Sequence, residues 1–185
     1  MKLTSRLRRG RRPSCRRSRI ELLFDVCEDR ILLANYLVNS VDDTNTGVGN
    51  NGTLRYVLGQ LAATGTATNL IQFAIGTGQQ TIAVGSLLPT ITKNVVIDGT
   101  SQPGFAGTPI IQIDGGGHAF AGLTLAAGSD NSTIRGLVIR NFAAAGIRVQ
   151  SAGNLIQGNY LGTDLAGNAA GPGNQQGVFI DNAAG

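Results

Sequence analysis

A four-residue unit, glycine–apolar–any–apolar, recurs three times in the second half of the chain: Gly122-Leu-Thr-Leu125, Gly146-Ile-Arg-Val149 and Gly177-Val-Phe-Ile180. Between the copies, Ser132-Thr-Ile-Arg-Gly136 aligns with Asn154-Leu-Ile-Gln-Gly158. The offsets are 24, 22 and 31 residues, the last lengthened by a Gly/Asn/Ala-rich insertion over residues 163–175. A period in the low twenties is too short for ankyrin or tetratricopeptide units, which need roughly 33 residues. Leucine-rich repeats share the length, but their regular Leu and Asn frame is absent. A coil of short parallel strands fits, each rung stacking on the next at about 4.8 Å. One such coil cannot bury its apolar face alone, so the repeat predicts a stack that is stable only as a stack.

The period also predicts which residues meet. Leu123, Ile147 and Val178 form one interior column, and Leu125, Val149 and Ile180 a second. Glycine at each rung start is expected to turn a sharp corner without a Cβ clash. Asn131 and Asn154 are expected at corners, where amides tolerate left-handed geometry. Upstream, period-two alternation continues through Ile71/Phe73/Ile75, Ile82/Val84, Val95/Ile97 and Ile111/Ile113, with turn signals at Gly76-Thr-Gly78, Asp98-Gly99 and Asp114-Gly115. One segment is helical instead: Leu54, Val57, Leu58 and Leu61 fall on one face, with Asn51 or Thr53 to cap the start and Gly65 to end it. Placed before the strand array, this short amphipathic helix is expected to cover the first coil and block edge pairing. Composition agrees: 27 of 185 residues are Gly, about double the usual ~7%, and 14% are charged against ~25%. The fold class read from these features is all-β, a parallel β-helix with a short N-terminal capping helix.

Charge divides the chain. Residues 1–30 hold ten of the fifteen Lys and Arg and four of the eleven acids, a net +6, which leaves −2 for the rest. The stretch from Met1 to Arg19 is basic without an acid, and such self-repelling segments are expected to be disordered. The body has no positive stripe, so no nucleic-acid partner is expected. Cys15 and Cys27 both lie in the tail, so no disulfide can staple the body. No apolar run reaches the ~18 residues of a membrane span, and residues 20–34 are too interrupted by acids for an ordinary signal peptide. The domain division is therefore a tail over 1–35 and a repeat domain over 36–185. The latter stops one strand into a coil, at Asp181-Asn-Ala-Ala-Gly185, and so is expected to be a truncated product or a fragment.

Two resemblances follow from these segments. Phe24-Asp-Val-Cys-Glu-Asp-Arg-Ile-Leu-Leu-Ala34 resembles the LEPR-XLL motif of large surface and secreted bacterial proteins. Glu28, Asp29, Arg30, Leu32, Leu33 and Ala34 match, while Asp25, Val26 and Cys27 depart from the usual Glu-Pro-Leu. That resemblance implies sorting or export to the cell envelope or outside the cell. Asn51-Gly-Thr-Leu-Arg55, Leu88-Pro-Thr-Ile-Thr92, Val96-Ile-Asp-Gly-Thr-Ser-Gln-Pro-Gly104 and Asn159-Tyr-Leu-Gly-Thr-Asp164 resemble landmarks of bacterial surface β-helix domains. They imply the pectin-lyase-like right-handed parallel β-helix.

That fold hosts polysaccharide lyases and glycosidases, whose chemistry needs converging carboxyl groups or a basic side chain beside clustered acids. The body has seven acids: Asp42, Asp43, Asp98, Asp114, Asp130, Asp164 and Asp181. Asp98 and Asp114, in matching Ile-Asp-Gly contexts, are candidates to stack near one another, though each reads as an Asp-Gly corner turn. His118 reads as an exposed loop residue without a partner nearby in sequence, and Asp164 among amides as a weak Ca²⁺ ligand at best. No catalytic residue, metal set or cofactor is assigned. The repeat instead predicts an exposed face: Thr124, Arg148 and Phe179 point outward at equivalent positions of successive coils, with Arg135 and Gln157 as a second outward stack. A Phe beside an Arg can cradle a sugar ring or an acidic polysaccharide; the bland alternative is a solvated rung face. The function expected is a non-enzymatic, structural or adhesin-like surface module that binds glycan or spans distance. The alternative is the front of a polysaccharide lyase or glycoside hydrolase whose catalytic coils lie beyond residue 185.

Overall fold

The structure is a computed structural model that describes residues 34–61, 68–167 and 172–181. The basic tail, the LEPR-XLL-like segment up to residue 33, Gly65 and the last four residues lie outside the described residues, as do residues 168–171 of the insertion. In chain order the elements are β1 (Ala34–Ser40), β2 (Gly47–Val48), β3 (Asn51–Thr53), α1 (Leu54–Leu61), β4 (Asn69–Phe73), β5 (Gln80–Ala83) and β6 (Val95–Asp98). A 3₁₀ turn over Gly99–Ser101 leads into β7 (Ile111–Asp114), β8 (Leu123–Leu125), β9 (Thr133–Arg135) and β10 (Leu137–Arg140). The last four strands are β11 (Ala145–Val149), β12 (Leu155–Gln157), β13 (Tyr160–Leu161) and β14 (Gln176–Ile180). The described chain is thus mostly strand with one helix.

The strands form three sheets, ordered β12-β9-β6-β4-β1-β3-β2, β13-β10-β7-β5 and β14-β11-β8. From β6 onward the chain visits first, second and third sheet in turn and then starts again. Even the round without a full third strand touches that sheet, through a parallel bridge from Ile91 to Leu125. Pairing is parallel throughout the described strands except between β2 and β3.

Register turns the alternation of each strand into columns of like residues. Tyr36, Ile71, Ile97, Ile134 and Ile156 are successive partners across the first sheet. Ile82, Ile113, Ile139 and Leu161 do the same across the second. In the third, Leu123 pairs Ile147 and Ile147 pairs Val178, while Leu125 pairs Val149 and Val149 pairs Ile180, the two columns expected from the repeat. The columns are buried at every level except the last: Val178 is 37% and Ile180 68% exposed, rather than interior. β14 is the edge of its sheet, and no described strand stacks beyond it to cover those side chains.

α1 forms where expected, with Leu54, Val57, Leu58 and Leu61 all buried. Thr53 is its cap, its Oγ1 accepting from the Tyr56 amide at 3.2 Å. The helix covers core, but the edge of β1 is protected differently than expected: β3 pairs alongside it, and β2 turns back antiparallel on β3.

Two of the three repeat glycines, Gly122 and Gly146, act by size. Neither Gly122 nor Gly146 has a positive φ. A Cβ on Gly122 would lie 2.6 Å from the Gly146 carbonyl oxygen, and one on Gly146 would lie 3.0 Å from that of Gly177. Adjacent rungs approach too closely there for a side chain, so the sharp-corner explanation is corrected to one of close stacking. Left-handed backbone falls on other glycines, Gly136 and Gly158 among them, and, among non-glycine residues, on Asn131, as expected, and on Asn141, with φ of 58° and 61°. Asn154 is not left-handed. Its Oδ1 accepts from the Ser132 amide at 2.9 Å, so it spans from one round to the previous one.

That bridging is general at the corners. Asn159 accepts from the Leu137 amide at 3.0 Å and donates to the Ile134 carbonyl at 2.8 Å. Asn174, within the insertion, accepts from the Phe142 amide at 3.1 Å and donates to the Ile139 carbonyl at 2.8 Å. Ser101 and Gln102 serve the amides of Phe73 and Ile75. Backbone groups left open where strands end are satisfied by a side chain from the following round.

Candidate functional site

The third sheet presents Thr124, Arg148 and Phe179 as direct register partners, Thr124 with Arg148 and Arg148 with Phe179. Inward and outward positions alternate along a strand, so the burial of Ile147 and Val149 obliges Arg148 to face out. All three residues line one groove of about 570 Å³, together with Phe120, Gln150, Gln175 and Gln176. The predicted face is therefore part of a groove, lined also by Ala119, Phe120 and Ala121 before β8 and by Gln175 before β14.

Two contacts shape this groove that sequence reasoning missed. An Arg148 η-nitrogen donates to Asp181 Oδ2, to which Gln150 Nε2 also donates at 3.3 Å. The Arg148 hydrogen bond, aided by its charge and by Gln150, holds the Asp181 carboxyl below its ordinary value despite some desolvation. The signal was present in the sequence: Asp181 lies two residues after Phe179 and so shares its outward face. Phe120, also lining the groove, stacks on His118, with ring centroids 5.5 Å apart and planes 11° from parallel, and meets Phe142 edge-on at 6.0 Å. His118 is exposed but not partnerless, a correction to the expectation of an isolated loop histidine.

The second outward stack also exists and is longer than expected. Arg135 pairs in register with Gln157 on one side and with Asp98 on the other. Arg135 donates to Asp98 Oδ2 at 2.7 Å, and Asp98 also accepts from the Thr100 amide and hydroxyl. Burial pushes the Asp98 carboxyl up, but these hydrogen bonds and the Arg135 charge outweigh it and leave it lowered. The same pairing raises Arg135.

Asp98 and Asp114 do not stack. Asp98 ends a strand of the first sheet and Asp114 one of the second, because the turn at Gly99–Ser101 lies between them and redirects the chain. Each serves its own corner: Asp98 accepts from the Thr100 amide at 3.0 Å, Asp114 from the Gly116 amide at 2.9 Å and from Asn141 Nδ2 at 2.8 Å. Asp114 also faces Arg140 Nε at 3.8 Å. Among the described residues no three His, Cys, Asp or Glu side chains gather as a metal-binding group, and no helix is long and apolar enough to cross a membrane. Comparison with family models, curated proteins and solved structures gives no match.

Proposed function

We propose that residues 36–185 form a right-handed parallel β-helix of the pectin-lyase-like kind, and that it works as a non-enzymatic, adhesin-like module at the cell surface or outside the cell, binding glycan. The fold reading is supported by the repeated visiting order of three parallel sheets and by unbroken side-chain columns. Handedness follows from the strong right-handed preference of parallel crossovers. The location rests on the LEPR-XLL resemblance of residues 24–34.

The observation that carries the binding reading is the groove over Thr124, Arg148 and Phe179. An exposed aromatic face, a guanidinium and several amides converge in it, the combination that holds a sugar by stacking and by hydrogen bonds to hydroxyls. A non-catalytic role is favoured by how the aspartates are used: Asp43, Asp98 and Asp181 are each engaged by an arginine, and Asp98 and Asp114 are spread over two sheets.

The test is glycan-array binding by the folded full-length chain. Specific binding that drops at least about tenfold in Arg148→Ala and in Phe179→Ala, the ~1.4 kcal/mol of one lost good contact, is expected. Gln157→Ala, on another face, should leave it unchanged. A folded chain that binds no glycan would leave the module as a spacer and end the recognition reading.

A further inference from the structure

The charge pattern of the described residues narrows the ligand class. Each of their four arginines is matched to an aspartate: Arg55 to Asp43 at 2.9 Å, Arg135 to Asp98 at 2.7 Å, Arg140 to Asp114 at 3.8 Å, and Arg148 to Asp181. The last three pairs join neighbouring rounds, one on each sheet, so each outward face carries a cation only beside its counterion. Lys93, the other basic residue of the body, is not among the residues lining the groove.

In the groove this has a chemical consequence. A uronate or sulfated sugar approaching Arg148 meets a guanidinium already neutralised, with the Asp181 carboxylate next to it. An incoming anion must displace that carboxylate or sit beside it, and like charges a few ångströms apart repel. A neutral sugar meets no such barrier. The pair remains reachable, with 41% of the Arg148 side chain and 25% of that of Asp181 exposed, and so offers a donor and an acceptor side by side. Gln150, Gln175 and Gln176 add uncharged amides that both donate and accept. Phe179, 39% exposed, offers a ring against which the C–H face of a pyranose can lie.

We propose that the groove selects neutral, hydroxyl-rich oligosaccharides over acidic ones, with Arg148 and Asp181 acting together on neighbouring hydroxyls and Asp181 excluding anions. This rests on the glycan-binding reading of the same groove and sharpens it. It also ties selectivity to a residue outside the repeat unit itself, since Asp181 follows Gly177-Val-Phe-Ile180.

The experiment compares the full-length chain with its Asp181→Asn and Arg148→Gln variants, each checked by circular dichroism for retained β structure. The probes are neutral gluco-, manno- and galacto-oligosaccharides on one side and oligogalacturonate and heparin-derived oligosaccharides on the other, each at low and high salt. The parent is expected to bind a neutral probe with less than about twofold change in affinity with salt, because screening acts on net charge and none is engaged. Asp181→Asn should lose at least about fivefold for that probe and gain salt-sensitive binding of the acidic ones. Arg148→Gln should lose the neutral probe without that gain. A parent that prefers acidic probes, or an Asp181→Asn chain with unchanged preference, would overturn the selectivity while leaving glycan binding standing. Absence of binding to every probe by folded parent would overturn the glycan reading and the selectivity with it.

Discussion

Asp98 shows how a single side chain acquires several duties when rungs stack. Its carboxylate caps the 3₁₀ turn that ends β6 through the Thr100 amide and hydroxyl, and it pairs Arg135 on the next rung of the same sheet. Because these partners lower its folded pKa, the stability it contributes is full above the unfolded carboxyl value near 3.8 and is lost as pH falls through the lower folded value. Thermal unfolding measured from pH 7 down to pH 2 should therefore show a midpoint that declines at the acid end. Asp98→Asn should start lower at pH 7 and decline less steeply; an acid profile identical to that of the parent would show that Asp98 contributes nothing to the acid limb. The glycines make a related point, since Gly122 and Gly177 occupy the same place in the repeat under different steric constraint. A Cβ at 122 meets backbone at 2.6 Å, whereas at 177 the nearest atom is 3.5 Å away, in ordinary contact.

At the scale of elements, the strands are too short to hold themselves, most having three to five residues. Their ends leave backbone groups open, and the amide side chains of the following round close them. Asn159 is the clearest case, because it serves both a donor and an acceptor beside the buried Leu137 and Ile134. Asn159→Ala removes both bonds and should cost about 1–3 kcal/mol, the usual penalty for stranding buried polar groups. Chemical denaturation would measure it against Gln157→Ala, an exposed neighbour expected to change stability by less than about 0.5 kcal/mol. Equal effects of the two would show that the corner amide is not structural. α1 and the β2–β3 hairpin divide the protection of the opening round between them. The helix places four apolar side chains on the core, and the hairpin occupies the hydrogen-bonding edge of β1.

For the molecule as a whole, stability should be graded along the stack. A round with a neighbour on each side has both ladders of hydrogen bonds and buried columns, while β14 has one neighbour among the described strands and exposes Val178 and Ile180. Native-state hydrogen exchange should find the slowest amides in β4, β6, β7 and β10 and markedly faster ones in β14, as local opening follows local burial. Uniform protection across these strands would contradict a stack that opens first at β14. The same gradient bears on the groove, because its selecting residue, Asp181, and its aromatic, Phe179, both belong to the level with least support. Ligand that bridges Phe179 and Arg148 would add stability where the stack has least.

Much of this was legible in the chain because a period of two and a repeat of fixed phase are local properties. Alternation decided which side chains face inward, and aligning Gly146-Ile-Arg-Val149 with its copies placed Leu123 on Ile147 and Arg148 beside Phe179 before any tertiary information. Leu54, Val57, Leu58 and Leu61 likewise announced their helix by spacing alone. Tertiary structure decided what depends on the length of the corners between strands, which no local period contains. It put Asp98 and Asp114 on different sheets, because the turn at Gly99–Ser101 changes the chain's direction between them. It matched each arginine to one aspartate, stacked Phe120 on His118, and assigned Asn154 to bridging and Asn141 to a left-handed corner. The sequence determined the columns because neighbouring rungs repeat one another in phase. The pairs and the groove were left to the fold, because they join residues whose separation in space is set by turns of unequal length.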